Sequence, residues 1–105
     1  MNTKSLMETH PLLSDRVRLS IMGVLAAAES PVNFNELIES LGLSKGNLSA
    51  HMKKLEDQKL VEVQKSFVDR KPRTTYRCTE AGRQALNEYL AQVQKMFESV
   101  TKEKK

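Results

Sequence analysis

Residues 33–58 read NFNELIESLGLSKGNLSAHMKKLEDQ, and this stretch decides the fold. Phe34, Leu37, Ile38 and Leu41 recur at helical spacing. Asn33 or Asn35 supplies an N-cap, and Gly42 is a natural stop because it tolerates the left-handed backbone that ends many helices. Ser44 then caps a further helix, in which Leu48, Met52 and Leu55 lie at i, i+4 and i+7. Two short helices joined by a tight Gly-containing turn are the sequence form of a helix-turn-helix.

Working outward, the upstream segment reads as one more helix. Val17, Ile21, Val24, Leu25 and Ala28 keep helical spacing from about Asp15 to Ala28. Ser14 is the expected N-cap, with Asp15 in the positive first turn. Glu29-Ser30-Pro31-Val32 forms the exit, because Pro31 forbids continuation. Residues 1–13 read as an N-terminal arm or short helix broken at Pro11.

Downstream of Lys59 the period changes from 3.6 to 2. Val61, Val63, Lys65 and Phe67 alternate with Glu62, Gln64 and Ser66, as in a half-buried strand. Asp69-Arg70-Lys71-Pro72 is read as a loop, and a second strand runs from about Arg73 to Thr79. Thr79 caps a last helix extending to about Thr101. Along it Leu86, Val93 and Val100 are seven apart, as are Leu90 and Phe97, giving a coiled-coil-like seam. The fold class is α+β, mainly α. The 105 residues are expected to form a single domain: arm or helix 1–13, helix-turn-helix 33–58, a two-stranded hairpin 60–79, and a long helix 80–101.

Composition excludes several classes of function. One Cys cannot build an intramolecular disulfide framework or a multi-thiolate metal site, and it fits a reducing compartment. No apolar run approaches the roughly 18 residues that span a bilayer, so no membrane partner is expected. Met1–Glu8 is polar, so no secretory signal is expected, and the reading is a cytoplasmic, nucleoid-associated protein. Trp is absent and aromatics are 5%, which leaves little material for a stacking platform. The chain shows no nucleophile–base pair, metal set or phosphate loop, so neither an enzyme nor a cofactor is expected.

The net charge of +4 is unevenly distributed. Residues 1–44 carry three cations against five anions, and residues 78–105 carry five against four. Residues 45–77 carry nine against four, a local net of +5, so a polyanion contact should map there. With Leu48, Met52 and Leu55 turned inward, the outward face of their helix is Gly46, Ala50, Lys53 and Asp57, flanked by Asn47, Ser49 and Lys54. Gly46 and Ala50 allow close backbone approach. Asn47 and Ser49 can hydrogen-bond base edges, and Lys45, Lys53 and Lys54 can pair phosphates. Ser44 opens a helix N-terminus that favours a phosphate. Arg70, Lys71 and Arg73 place three cations at the hairpin tip, within reach of an adjacent minor groove or backbone.

These segments resemble a known family. Gly42-Leu43-Ser44-Lys45-Gly46-Asn47-Leu48-Ser49-Ala50-His51-Met52-Lys53-Lys54-Leu55-Glu56, then Leu60-Val61, resemble the recognition-helix region of winged-helix transcriptional regulators of the MarR and ArsR types. Phe67 to Tyr76, followed by Thr79-Glu80-Ala81-Gly82-Arg83, is similar to the wing and the start of the last helix in that family. The resemblance covers roughly residues 12–90. It implies a homodimer that binds double-stranded DNA, with the helix from Ser44 as recognition helix and Arg70, Lys71 and Arg73 in the wing. It is also compatible with a small-molecule effector of unspecified chemistry. Relatives usually carry Gly just after the recognition helix. Lys59 stands there in this chain, where a left-handed conformation costs about 1 kcal/mol.

The last helix, about 20 residues or roughly 30 Å, would overhang a single protomer's core. Leu86, Tyr89, Leu90, Val93, Met96, Phe97 and Val100 are therefore read as a dimer seam, helped by Leu6, Met7, Leu12 and Leu13. Other candidates are read structurally. His51 lies at the edge of its helix's apolar face, His10 stands alone, and Cys78 is a small strand residue beside Tyr76. The competing reading of the whole chain is a winged-helix protein-interaction adaptor.

Overall fold

The structure, a computed structural model, describes residues 10–102. Among them the chain runs α1 (Arg16–Ala27), β1 (Val32–Asn33), α2 (Phe34–Leu41), α3 (Lys45–Asp57), β2 (Val61–Val68), β3 (Lys71–Cys78) and α4 (Glu80–Lys102). The protein is mainly helical, with three helices packed on a small antiparallel sheet and a long fourth helix. None of the described helices is long and apolar enough to cross a membrane.

Local chemistry sets most of the helix ends. Asp15, not Ser14, caps α1: its carboxylate accepts from the backbone N–H of Val17 at 2.9 Å and of Arg18 at 3.0 Å. Ser14 instead donates its hydroxyl to the Pro11 carbonyl at 3.0 Å, within a turn closed by the amides of Leu13 and Ser14 on the His10 carbonyl. That turn rolls Leu13 into the core, where it is 1% exposed. Asn33 caps α2 by accepting from the Glu36 backbone amide at 2.8 Å, and its side-chain amide donates to the Glu36 carboxylate at 2.7 Å. Gly42 ends α2 at φ 64°. Ser44 caps α3, its Oγ accepting from the Asn47 amide at 3.1 Å.

The sheet departs from the expected two strands. Val32 and Asn33 pair with Tyr76 and Thr75, which makes the order β1-β3-β2. The N-cap residue of a helix is already extended, and Asn33 has φ −80° and ψ 160°. Two extended residues ahead of α2 can therefore hydrogen-bond to β3 at no further conformational cost. A two-residue strand has no periodicity for the sequence to display.

The hairpin is also tighter than the expected four-residue loop. Val68 pairs with Lys71, which leaves only Asp69 and Arg70 in the turn, at φ 52° and 66°. Positive φ at both central positions is the mirror-image turn whose twist matches the two strands. Asp tolerates this conformation, whereas Arg70 has no such allowance. Pro72, which reads as a strand breaker, lies within β3 opposite Phe67. In a two-residue hairpin the turn-closing pair is hydrogen-bonded and the next pair is not, so Pro72 needs no amide toward β2. Its other side is free because β1 reaches only Thr75 and Tyr76.

The core is formed by Ile21, Met22 and Leu25 of α1, Leu37 of α2, and Leu48, Met52 and Leu55 of α3, closed by Val61 and Tyr76 of the sheet. Leu86 and Tyr89 of α4 complete it. One corner fixes α4 against this body. Lys59 takes φ 61° just past α3, and the Leu60 amide returns to the Leu55 carbonyl at 3.0 Å. The Thr79 hydroxyl donates to the Lys59 carbonyl at 2.7 Å and accepts from the Gly82 amide at 2.9 Å. Gly82 is buried there, and the position requires glycine because a Cβ on it would stand 2.1 Å from the Leu60 carbonyl oxygen. Arg83 reaches back to the Ala26 carbonyl at 3.1 Å, which neutralises an unpaired group at the C-terminal end of α1.

Candidate nucleic-acid interface

Helix α3 presents two chemically distinct faces. Leu48, Met52 and Leu55 are fully buried and anchor it to α1 and the sheet. Lys45, Gly46, Asn47, Ser49, Ala50, Lys53 and Lys54 are all exposed. Gly46 has nothing within 4 Å of the position its Cβ would take, so the first turn of α3 is an uncovered backbone surface. The hydroxyl of Ser44 accepts the Asn47 amide, which leaves its own proton to donate outward. Among the described residues, the side chains of Asn47 and Ser49 make no protein hydrogen bond, so their polar atoms are free for an incoming ligand.

Charge on this face is mostly uncommitted. Lys53 meets Asp57 one turn on at 3.5 Å, but both side chains are well exposed, and such a pair is worth only about 0.3–0.5 kcal/mol. Lys53 can therefore exchange it for a phosphate. Arg70, Lys71 and Arg73 are exposed at the hairpin tip, and none has an ion-pair partner among the described residues. Arg77 differs: its guanidinium meets Glu62 across the strands at 2.6 Å, so the two charges cancel within the sheet. The local excess of positive charge thus belongs to α3 and to the hairpin tip, not to the base of the hairpin.

Arg18 and His10 each make a long-range contact that the sequence does not display, and the first of them holds α3 in place. Arg18 of α1 donates from Nε to the Leu12 carbonyl at 2.8 Å and meets His51 Nδ1 at 3.1 Å. His51 thus supports α3 from its edge, its Nδ1 facing the Arg18 guanidinium. His10, which carried no signal in sequence, is buried edge-on against Tyr89, with ring centroids 5.7 Å apart. Neither contact has a spacing that sequence could display, since each joins residues distant along the chain. Burial pushes the Cys78 thiol up, which keeps it protonated and unreactive at neutral pH. No three His, Cys, Asp or Glu side chains gather as metal ligands among the described residues.

The expected dimer seam divides. Leu13, Leu86 and Tyr89 are buried in the protomer's own core and leave no surface for a partner. Val93 is partly packed against that core, and Leu12 is half-buried. Met96 is half-buried, whereas Leu90, Phe97 and Val100 are 46%, 68% and 49% exposed. The division has a simple cause: the first turns of α4 lie against α1 and the Lys59–Leu60 turn, and its distal half extends past them. Leu6 and Met7 lie outside the described residues.

Comparison with known proteins agrees with this architecture. The family described as winged helix DNA-binding domain matches residues 17–97. An uncharacterised protein of Methanocaldococcus jannaschii is 34% identical over 84 residues, which is 80% of this chain and 90% of that protein. Among solved structures, a transcriptional regulator homologue from Pyrococcus horikoshii OT3 superimposes with a TM-score of 0.84 at 31% identity, covering 93% of this chain and 95% of that one. A protein of Enterococcus faecalis V583 described as a transcriptional regulator of the MarR family gives a TM-score of 0.73 at 23% identity, covering 99% and 92%, a likeness of fold.

Proposed function

This chain belongs to the winged-helix DNA-binding domain family, and on that premise we propose that it is a transcriptional regulator that binds double-stranded DNA as a homodimer. The observation that carries the reading is the uncovered N-terminal half of α3. Its backbone is open at Gly46, the side chains of Asn47 and Ser49 have no hydrogen-bond partner among the described residues, and cations flank it on the helix and at the hairpin tip. An α-helix fits the major groove, and its N-terminal residues reach the base edges. Asn47, Ser49 and Ala50 read those edges. Ser44, Lys45, Lys53 and Lys54 hold the phosphates alongside, and Gly46 permits close approach. The wing, with Arg70, Lys71 and Arg73, lies on the neighbouring backbone or minor groove. Phosphate contacts supply most of the affinity, and the groove contacts supply selectivity.

The distal part of α4 supports the dimer. An exposed apolar set of Leu90, Phe97 and Val100, with Met96 and Val93 beside it, is a liability on a free surface and an asset in a two-fold interface. Two recognition helices about 34 Å apart would read successive major grooves of a pseudo-palindrome. The site of action is the cytoplasm, on the nucleoid. The protein works by binding and performs no catalysis.

Fluorescence anisotropy on duplex DNA across a salt series tests the assignment. Lys53→Ala and Arg70→Ala should each weaken binding to all sequences and lower the magnitude of the salt slope by about 1. An unchanged slope for both removes these residues from the interface. No binding of random duplex at low salt and tens of micromolar protein would turn the reading toward a protein-interaction adaptor.

A further inference from the structure

At 75% exposed, Phe67 is the most exposed large apolar side chain among the described residues, and it stands in β2 beside the basic tip of the hairpin. The strand register explains its placement. Val61, Val63, Lys65 and Phe67 share one face of β2, opposite Cys78, Tyr76, Thr74 and Pro72 of β3. Near the body this face is core, since Val61 and Tyr76 are buried. Beyond Val63 and Tyr76 this face continues for two more pairs, Lys65–Thr74 and Phe67–Pro72. Phe67 and Pro72 therefore form an apolar cross-strand pair that lies outside the core among the described residues, one pair short of the turn-closing pair. Lys65 neighbours Phe67 on the same face, and Arg70, Lys71 and Arg73 surround the tip, with Asp69 the single acid among them.

We propose that Phe67 is an apolar wedge that the wing drives into the minor groove of bound DNA, an inference that rests on the DNA-binding reading above. An apolar centre ringed by cations complements the minor groove. The groove's sugar walls present C–H surface, and its rims are two rows of phosphates. A two-stranded tip brings the phenyl ring to a base step while Lys65, Arg70, Lys71 and Arg73 hold the rims. Side chains of this type partly unstack the step they enter and favour sequences in which unstacking is easy, so Phe67 adds selectivity at a step that no hydrogen bond reads.

The wedge and the cations make separable contributions to affinity. A cation's contribution falls with salt, whereas an apolar side chain's does not. The test titrates full-length wild type, Phe67→Ala, Phe67→Leu and Arg70→Ala against a 30-base-pair mixed-sequence duplex by anisotropy at several salt concentrations, with thermal melts alongside. Phe67→Ala should bind about tenfold more weakly at every salt with the wild-type slope, and Phe67→Leu should recover most of the loss. Arg70→Ala should lower the slope instead. Because the ring touches so little of the protein, the melting temperature of Phe67→Ala should equal that of wild type. Wild-type affinity for Phe67→Ala at all salts overturns the wedge while leaving DNA binding intact. A lower sedimentation coefficient for Phe67→Ala without DNA overturns it in favour of a contact between copies. Failure of wild type to bind the duplex at any salt overturns the wedge together with the reading beneath it.

Discussion

Replacing Gly82 by alanine should unfold this protein far more readily than the size of the change suggests. Gly82 lies in the first turn of α4, where the helix crosses the Lys59–Leu60 turn, and its added Cβ would sit 2.1 Å from the Leu60 carbonyl oxygen and 2.9 Å from Met22 Cε. The methionine tip can swing aside. The carbonyl cannot, because the Thr79 amide donates to the same oxygen at 3.1 Å and the Thr79 hydroxyl holds the preceding carbonyl, that of Lys59. Helix α4 must therefore move by about 1 Å, and overpacking of this kind costs about 1–3 kcal/mol. An immovable backbone obstacle places the cost near the top of that range, against a gain of up to about 1 kcal/mol in helix propensity. The net loss is about 2 kcal/mol, or about 8–16 °C in melting temperature for a chain of this size. Gly23→Ala is the matched control. Gly23 is exposed within α1, and its Cβ would meet nothing within 4 Å, so the same chemical change should stabilise by about 0.5–1 kcal/mol. Urea titrations followed by far-UV circular dichroism, at one fixed protomer concentration, compare the two variants with wild type. Equal or raised stability for Gly82→Ala would refute the close approach of α4 to Leu60.

Other perturbations have equally definite outcomes. Asp15→Ala should cost about 1 kcal/mol at pH 7, because two α1 amides lose their acceptor. The backbone amide of Arg18, then its charge and the Val17 amide, hold the Asp15 carboxyl below its ordinary range. The stabilisation is therefore complete above about pH 4 and disappears as pH falls through the depressed folded value, so the gap between variant and wild type should narrow in acid. Lys59→Gly should raise stability by about 1 kcal/mol in a urea titration by relieving the left-handed backbone at φ 61°. Phe97→Glu, at a 68% exposed position, should leave the protomer folded and convert a dimer to a monomer in sedimentation velocity at micromolar concentration. A wild-type monomer there would reject the interface on α4.

The features legible in sequence were those encoded within a few residues of one another. The helix-turn-helix could be read because its caps at Asn33 and Ser44, its stop at Gly42 and its inward triad Leu48, Met52 and Leu55 are all short-range signals. Positive φ at Lys59 was expected instead from the family resemblance, in which relatives carry Gly at that place. The basic character of residues 45–77 is arithmetic on the sequence, and every residue assigned to the nucleic-acid face is exposed. Competition between two adjacent candidate caps was less legible. Asp15 wins over Ser14 because the turn at residues 10–14 engages the Ser14 hydroxyl and leaves the Asp15 carboxylate facing the free amides of α1.

The sequence by itself determined the four helices and the two hairpin strands, their order, the two faces of α3 and the segment that holds the excess charge, since periodicity, caps and ionisation are properties of short stretches. Tertiary structure alone decided the rest. It paired Val32–Asn33 with β3, buried His10 against Tyr89 and joined Arg18 to His51. It also divided one continuous apolar seam of α4 into residues that complete the protomer's core and residues left outside it. A heptad pattern states only that a face is apolar. Which surface covers each part of that face depends on where the Gly82 contact sets the helix against the body, and that distance joins residues that no local spacing relates.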